Sequence, residues 1–324
     1  MTQTVVTYPN EHMWEQRYRP VTLDQCILPE ADMKVFRGIV EKKRLPHLIL
    51  HSKSPGTGKT TLARVLCNEV DAEYMFYSGG NLRIDQLRNE LTVFASSKTR
   101  KSGGKVIIID EADNEGMRAV HTELRSWMEA YSINCSVIMT CNNIEVLPAA
   151  LRKSRARTIQ FGQPSDNDIK RMKVEMIKRC IDICEIEGVP VEDKKVIATL
   201  VGKNFPDLRA CVTTLDRYAK GGVVDSGILS ELNRSTENLD ELIEVLKTKQ
   251  FGTALRTMVP KYALDYNNFV TLIYKTLIPV IQPASTRMLV KILAENQKYA
   301  NIVPNLEIHL YDMLIDIGSE VTFK

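Results

Sequence analysis

The stretch Pro55-Gly56-Thr57-Gly58-Lys59-Thr60-Thr61 decides the fold. It stands between HLILHS (47–52), a short apolar run, and TTLARVLCNEV (60–70), whose apolar residues recur with a helical period. A glycine-rich turn between a strand and a helix exposes successive backbone N–H groups, and the positive end of the helix adds to them, so the turn cradles phosphate. Lys59 is then placed to reach the β- and γ-phosphates, and the Thr60 hydroxyl to hold Mg²⁺. The full pattern has a further glycine five residues before Gly58, where this chain has Lys53. The tight part, Gly56 to Thr60, is intact and in the right setting.

Working outward, Met75–Tyr77 reads as a second strand and 85–97 as a helix with Leu87, Leu91 and Phe94 on one side. After the basic loop Lys98–Lys105 come four apolar residues, Val106-Ile107-Ile108-Ile109, the pattern of a strand buried on both faces. That strand delivers Asp110 and Glu111 at its C-terminal end, where ligands gather in parallel sheets. Asp110 is placed to coordinate Mg²⁺ and Glu111 to polarise a water, so hydrolysis is the expected chemistry. A helix over 117–130 and strands at Ser136–Thr140 and Thr158–Phe161 complete an α/β class with a parallel sheet. Gly162-Gln163-Pro164-Ser165 is punctuation, after which strand signals cease and helices are expected at 166–186, 191–203 and 206–219. Gly221-Gly222 and Asn233–Asn238 read as a second boundary, and the remainder as helices broken at Pro260, Pro283 and Pro304. The expected domains are therefore 1–164, α/β and nucleotide-binding; 165–232, small and helical; and 233–324, all helical.

Composition sets the outer limits. The 324 residues carry 43 Lys+Arg against 40 Asp+Glu, and 44% of them are hydrophobic, a globular balance that excludes a disordered tail or a fibre. No apolar run of 18 residues is present, so no membrane span or membrane partner is expected. MTQTVVTYPNEHMWEQRYRP lacks the pattern of a signal peptide, which makes the cytoplasm the expected location. Seven cysteines without a CxxC pair read as ordinary thiols rather than a zinc or redox site. Basic residues cluster at Lys98–Lys105, at Arg152–Arg157 and at Lys170–Arg179, each by itself weak evidence for a polyanionic partner. Asp110-Glu111-Ala112-Asp113 spells a helicase-like DEAD, but the helical remainder offers no second α/β domain to form a helicase cleft.

These motifs together resemble those of AAA+ ATPases, and within them the clamp-loader subunits of the replication factor C kind and of T-even-type bacteriophages. Trp14-Glu15-Gln16-Arg17-Tyr18-Arg19-Pro20 looks like the family's WxxKYRP opening, which implies that Tyr18, Arg19 and Pro20 border the adenine pocket. Leu45-Pro46-His47-Leu48 looks like the LPHL before the phosphate loop, and Leu124-Arg125 with Met128-Glu129 like the LRRxME helix. The resemblance implies three more roles. Asn142 is the first sensor near the γ-phosphate, and Arg209 of Pro206-Asp207-Leu208-Arg209 is the second, on a helical lid. Arg155 of Ser154-Arg155-Ala156 is an arginine finger for a neighbouring subunit, with Arg152 and Arg157 as alternatives and Ala156 standing where the family has Cys.

Asn81-Leu82-Arg83-Ile84-Asp85 resembles the family's DxRGID stretch without its glycine, which implies contact with the DNA backbone through Arg83, followed by Arg88, Lys98, Arg100 and Lys101. Phosphate contacts of this kind are sequence-independent and salt-sensitive. The implied function is that of an ATPase subunit of a sliding-clamp loader, with ATP and Mg²⁺ as cofactors. Its implied partners are the clamp, primer–template DNA, copies of itself and a distinct small subunit, and its C-terminal helices would form a collar. Two rivals keep parts of the motif set: another AAA+ remodeller of the helicase-loader or branch-migration type, and a scaffold subunit that binds ATP without hydrolysing it.

Overall fold

The computed structural model describes residues 8–324 apart from 55, 161–163, 221, 225–238, 240, 250, 264, 265 and 301. The expected boundary at 233–238 lies outside the described residues. The chain divides into two compact units, Met1–Ile228 and Leu229–Lys324.

The first unit is built on five parallel strands in the order β2-β3-β4-β1-β5: β1 Leu48–His51, β2 Glu73–Ser78, β3 Lys105–Asp110, β4 Cys135–Cys141 and β5 Arg157–Gln160. Its middle strands alternate between two cores. Val106 and Ile108 of β3 join Leu48 and Leu50 of β1 on one face; Ile107 and Ile109 join Ile49 and Met139 on the other. All of these are essentially inaccessible to water, and each such side chain contributes about 1.5–3 kcal/mol by burial. This is why β3 reads as an unbroken apolar run rather than an alternating one.

Helices cover both faces. Helix α2 (Glu30–Val40) and α3 (Lys59–Glu69) supply Phe36, Ile39, Leu62 and Leu66 to the first core. The second face is covered by a helix in three joined pieces: α4 (Ile84–Gln86), a π-helical turn over Leu87–Leu91, and α5 (Thr92–Ser96). Beside it lies α6 (Arg118–Tyr131), which contributes Val120, Leu124, Trp127 and Met128. The sequence reading did not anticipate α2, the short α1 (Trp14–Arg17) or α7 (Ala149–Ser154). Three lid helices follow: α8 (Asp166–Ile186), α9 (Lys194–Asn204) and α10 (Leu208–Ala219), capped in turn by Ser165, Asp193 and Asp207.

The second unit is helical, with residues 241–247 (α11), α12 (Thr253–Ala263), α13 (Tyr266–Leu277), α14 (Thr286–Tyr299) and α15 (Leu306–Glu320) around a core of its own. The expected break at Pro260 is not found: α12 runs through it. Proline removes one helical hydrogen bond, but Leu255, Met258 and Val259 on the same helix are buried in the core, and that burial outweighs the loss. Pro283 and Pro304 do stand between helices, just before α14 and α15.

Candidate nucleotide site

The sheet order brings three strand ends together. The phosphate loop follows β1, Asn142 follows β4 and Asp110 ends β3, and these strands are neighbours. Gly56 (φ +67°) and Gly58 (φ +88°) take the left-handed backbone that the turn into α3 requires. Pro55 lies outside the described residues. Lys59 opens α3 and is 8% exposed, its Nζ donating to the Ser54 carbonyl (3.1 Å), the Ser52 carbonyl (3.4 Å) and Thr57 Oγ1 (3.4 Å). Burial pulls its pKa below the usual lysine value. A cation held on neutral oxygens gains most from an incoming anion, so the loop fits a triphosphate.

Thr60 Oγ1 donates to Asp110 Oδ1 (2.6 Å), and Thr140 Oγ1 donates to the same oxygen (2.5 Å). A hydroxyl and a carboxylate so close, next to bound phosphates, are the pair that Mg²⁺ uses when it keeps most of its waters. Glu111 is exposed, its N–H donating to Thr140 Oγ1 (3.1 Å), and its backbone is left-handed at φ +54°. For a residue with a Cβ this conformation costs of order 1–3 kcal/mol, and it recurs at functional positions. Asp113 then accepts the backbone N–H groups of Asn142 (3.0 Å) and Asn143 (2.7 Å), so the acidic turn and the loop bearing Asn142 are tied together. Behind them His121, 2% exposed, sets Nε2 2.8 Å from the Ala112 carbonyl oxygen.

A cavity of about 590 Å³ opens from the phosphate loop, within the range of small-ligand sites. Gly56, Thr57, Gly58 and Thr61 are part of its lining, as are Tyr18, Arg19, Pro20 and Arg209. Arg19 donates to Thr61 Oγ1 (3.1 Å) and Gln16 Oε1 (3.1 Å). Its pKa is lowered by burial first, then by Arg64 and Arg209. The mutual repulsion of these arginines marks a place that a polyanion would stabilise. Arg64, five residues beyond Lys59 on α3, was missed in the sequence. Its guanidinium stacks 4.4 Å over the Phe76 ring, a contact that no local pattern announces.

Asp207, the cap of α10, presses on the phosphate loop: a Cβ on Gly56 would lie 2.0 Å from its Cγ. Gly56→Ala is therefore expected to weaken ATP binding at least about tenfold, since a clash with so close a neighbour and a strained φ both displace the loop. Titration with a fluorescent ATP analogue measures this. Gly38→Ala, in a helix with open space around it, should bind as the parent does.

The remaining expected residues lie elsewhere. Arg155 ends α7 and donates to Glu129 Oε2 (2.9 Å), while Arg152 pairs with Glu145 (2.8 Å). Arg157 begins β5 opposite Leu48, the first residue of β1. Arg155 thus sits beside the strands' N-terminal ends, more than about 10 Å from the phosphate loop at 3.3 Å per strand residue. Arg83 follows the C-terminal end of β2 and donates to the Gly80 carbonyl (3.1 Å). Lys98, Arg100 and Lys101 lie past α5, before β3, about 20 Å away along a helix rising 1.5 Å per residue. The five basic residues are therefore not one cluster, and two have acidic partners: Arg88 with Glu123 and Lys101 with Asp71. The basic run 170–179 is not a free face either, because Arg171 donates to the Leu28 carbonyl (2.6 Å) and Arg179 to that of Gln25 (2.5 Å). All seven cysteines are buried free thiols.

Three family models match consecutive parts of the chain: the AAA ATPase family over residues 49–163, the sliding-clamp-loader large-subunit lid domain over 168–230, and that subunit's C-terminal domain over 265–322. The sliding-clamp-loader large subunit of Enterobacteria phage T4 is 45% identical over 314 residues, covering 97% of this chain and 98% of its own. The chain belongs to the sliding-clamp-loader large subunits. The large subunit of Escherichia phage RB69 is 43% identical over 315 residues, covering 97% of this chain and 98% of its own. The replication factor C small subunit of Archaeoglobus fulgidus is 31% identical over 269 residues, 79% of this chain and 80% of its own. Among solved structures, the Thermotoga maritima RuvB branch-migration motor superposes with a TM-score of 0.53 at 19% identity, covering 72% of this chain and 80% of that one, a likeness of fold alone. As a clamp-loader large subunit the chain is an AAA+ ATPase with a lid domain. Among the described residues no helix is long and apolar enough to cross a membrane.

Proposed function

We propose that this chain loads a sliding clamp onto primer–template DNA as one of several copies joined to a distinct small subunit, in the host cell's cytoplasm, with each ATP site completed by a neighbouring copy. The observation that carries the shared site is the position of Arg155, at the opposite ends of the strands from its own phosphate loop. An arginine is needed where charge develops on the transferred phosphoryl, and one supplied by a neighbour is worth about 10³–10⁵ in rate.

On this reading residues 1–164 form the nucleotide-binding domain, 165–232 the lid and 233–324 the oligomerising collar. Lys59 and the loop N–H groups bind the triphosphate, with Arg209 reaching the γ-phosphate from the lid and Asn142 from β4. Glu111 takes the proton of the attacking water while Asp113 keeps Asn142 in line. Thr60 and Asp110 would hold Mg²⁺, which would supply positive charge to offset that of the triphosphate. Arg83 meets the DNA backbone first, with Lys98 and Arg100 reaching it from the far end of α5 and Arg88 and Lys101 exchanging Glu123 and Asp71 for phosphate.

The test is ATP turnover per chain against protein concentration, with and without primer–template DNA, clamp and small subunit. Turnover that climbs with concentration and rises further with DNA and clamp is the expected outcome. A rate that is flat in concentration and indifferent to all three additions, small subunit included, would refute shared sites and clamp loading together.

A further inference from the structure

The nucleotide cavity has a mixed lining. Beside the polar residues of the phosphate loop, its lining includes the apolar side chains Cys26 and Leu28 and, from α8, Met172, Met176 and Ile183, the kind of surface that takes a flat base. A charged residue of α8, Arg179, is part of the same lining. It is 5% exposed, donates through Nη2 to the Gln25 carbonyl oxygen (2.5 Å), and keeps Nη1 buried without a partner. Its surroundings oppose its charge: burial lowers its pKa. A charged group's N–H left unmatched in a protein interior is costly. In a ligand cavity, that deficit is one the ligand can remove.

We propose that Arg179 is the base-reading residue of this pocket: one guanidinium nitrogen fixes the pocket wall at Gln25, and the other gives its N–H to a ring nitrogen of the purine. The inference rests on the nucleotide reading of the cavity. Arginine only donates hydrogen bonds, and adenine's exocyclic amine also donates, so the acceptor is N1, N3 or N7 of the ring. The wall is already held for this purpose. Arg171 donates to the Leu28 carbonyl (2.6 Å), and Asp168 accepts the Glu30 N–H (3.1 Å), so α8 grips the segment 25–30 at three points.

A purely structural brace would stabilise the lid without distinguishing one ring nitrogen from another, and that difference is measurable. Equilibrium binding of ATP and of 1-, 3- and 7-deaza-ATP to the full chain is expected to single out one analogue, about 10–100-fold weaker than ATP, the effect of a hydrogen bond to a charged group. In Arg179→Met, ATP should weaken by a similar factor while that analogue binds as well as ATP does. The wild-type series needs no variant, so it decides even if Arg179→Met misfolds. Three analogues that all match ATP on the wild type overturn the proposal, as does a penalty that persists undiminished in Arg179→Met. Failure of ATP itself to bind the wild type would instead remove the nucleotide reading, and the base-reading role with it.

Discussion

Arg155→Ala is expected to lower ATP turnover of the assembled protein by about 10³–10⁵-fold while leaving ATP binding by the same chain intact, because in the proposed shared site the finger serves the neighbour's nucleotide and not its own. The fold should tolerate the change: Arg155 gives up only the pair with Glu129, whose side chain is 62% exposed, and such surface pairs contribute about 0–1 kcal/mol. Single-turnover hydrolysis at saturating protein measures the rate, and titration with a fluorescent ATP analogue measures the binding. Arg152→Ala and Arg157→Ala serve as comparisons, since both lie beside the same strand ends. If either of them, rather than Arg155, silences hydrolysis, the finger has been misassigned by a few residues.

Glu111→Gln should slow hydrolysis by about 10²–10⁴-fold, the usual contribution of a general base, with nucleotide affinity unchanged or tighter. The amide keeps the side chain's size and leaves the backbone N–H to Thr140 undisturbed, so a loss of rate reports the lost base rather than a collapsed turn. The two variants also test each other. A Glu111→Gln chain still carries a finger, and an Arg155→Ala chain still carries a base, so mixing them should restore turnover that neither shows alone. No recovery on mixing would contradict sites shared between copies. Unimpaired clamp loading by Glu111→Gln would identify the subunit as a scaffold.

Much of the site was legible because its chemistry is local. The loop Gly56–Thr60 and the pair Asp110-Glu111 need only a strand before them and a turn after, and both strands are apolar enough to be read directly. What escaped reading depends on contacts across the chain. Arg179 stands among four other basic residues in the sequence and looks solvated, yet its helix turns it inward onto Gln25, 154 residues away. Asp207 caps α10, and nothing local in the sequence shows that the cap rests on Gly56. Pro260 misleads in the opposite direction, since its penalty is local and the packing that overrides it is not. Helix α2 went unread because its buried residues Phe36 and Ile39 are only two, too few to set a period.

If sites are shared as proposed, the separation of Arg155 from the loop around Gly56 gives the molecule a plug and a socket on different surfaces. Two copies related by a two-fold axis bury the same patch on both, so a plug and socket that differ join head to tail instead, and the chain of copies either closes into a ring or advances along a screw. Along an open screw, one terminal copy has a socket that no plug enters and the other a plug with no socket. Such an assembly is polar from end to end, and its unmatched end is the natural seat for a subunit of another kind.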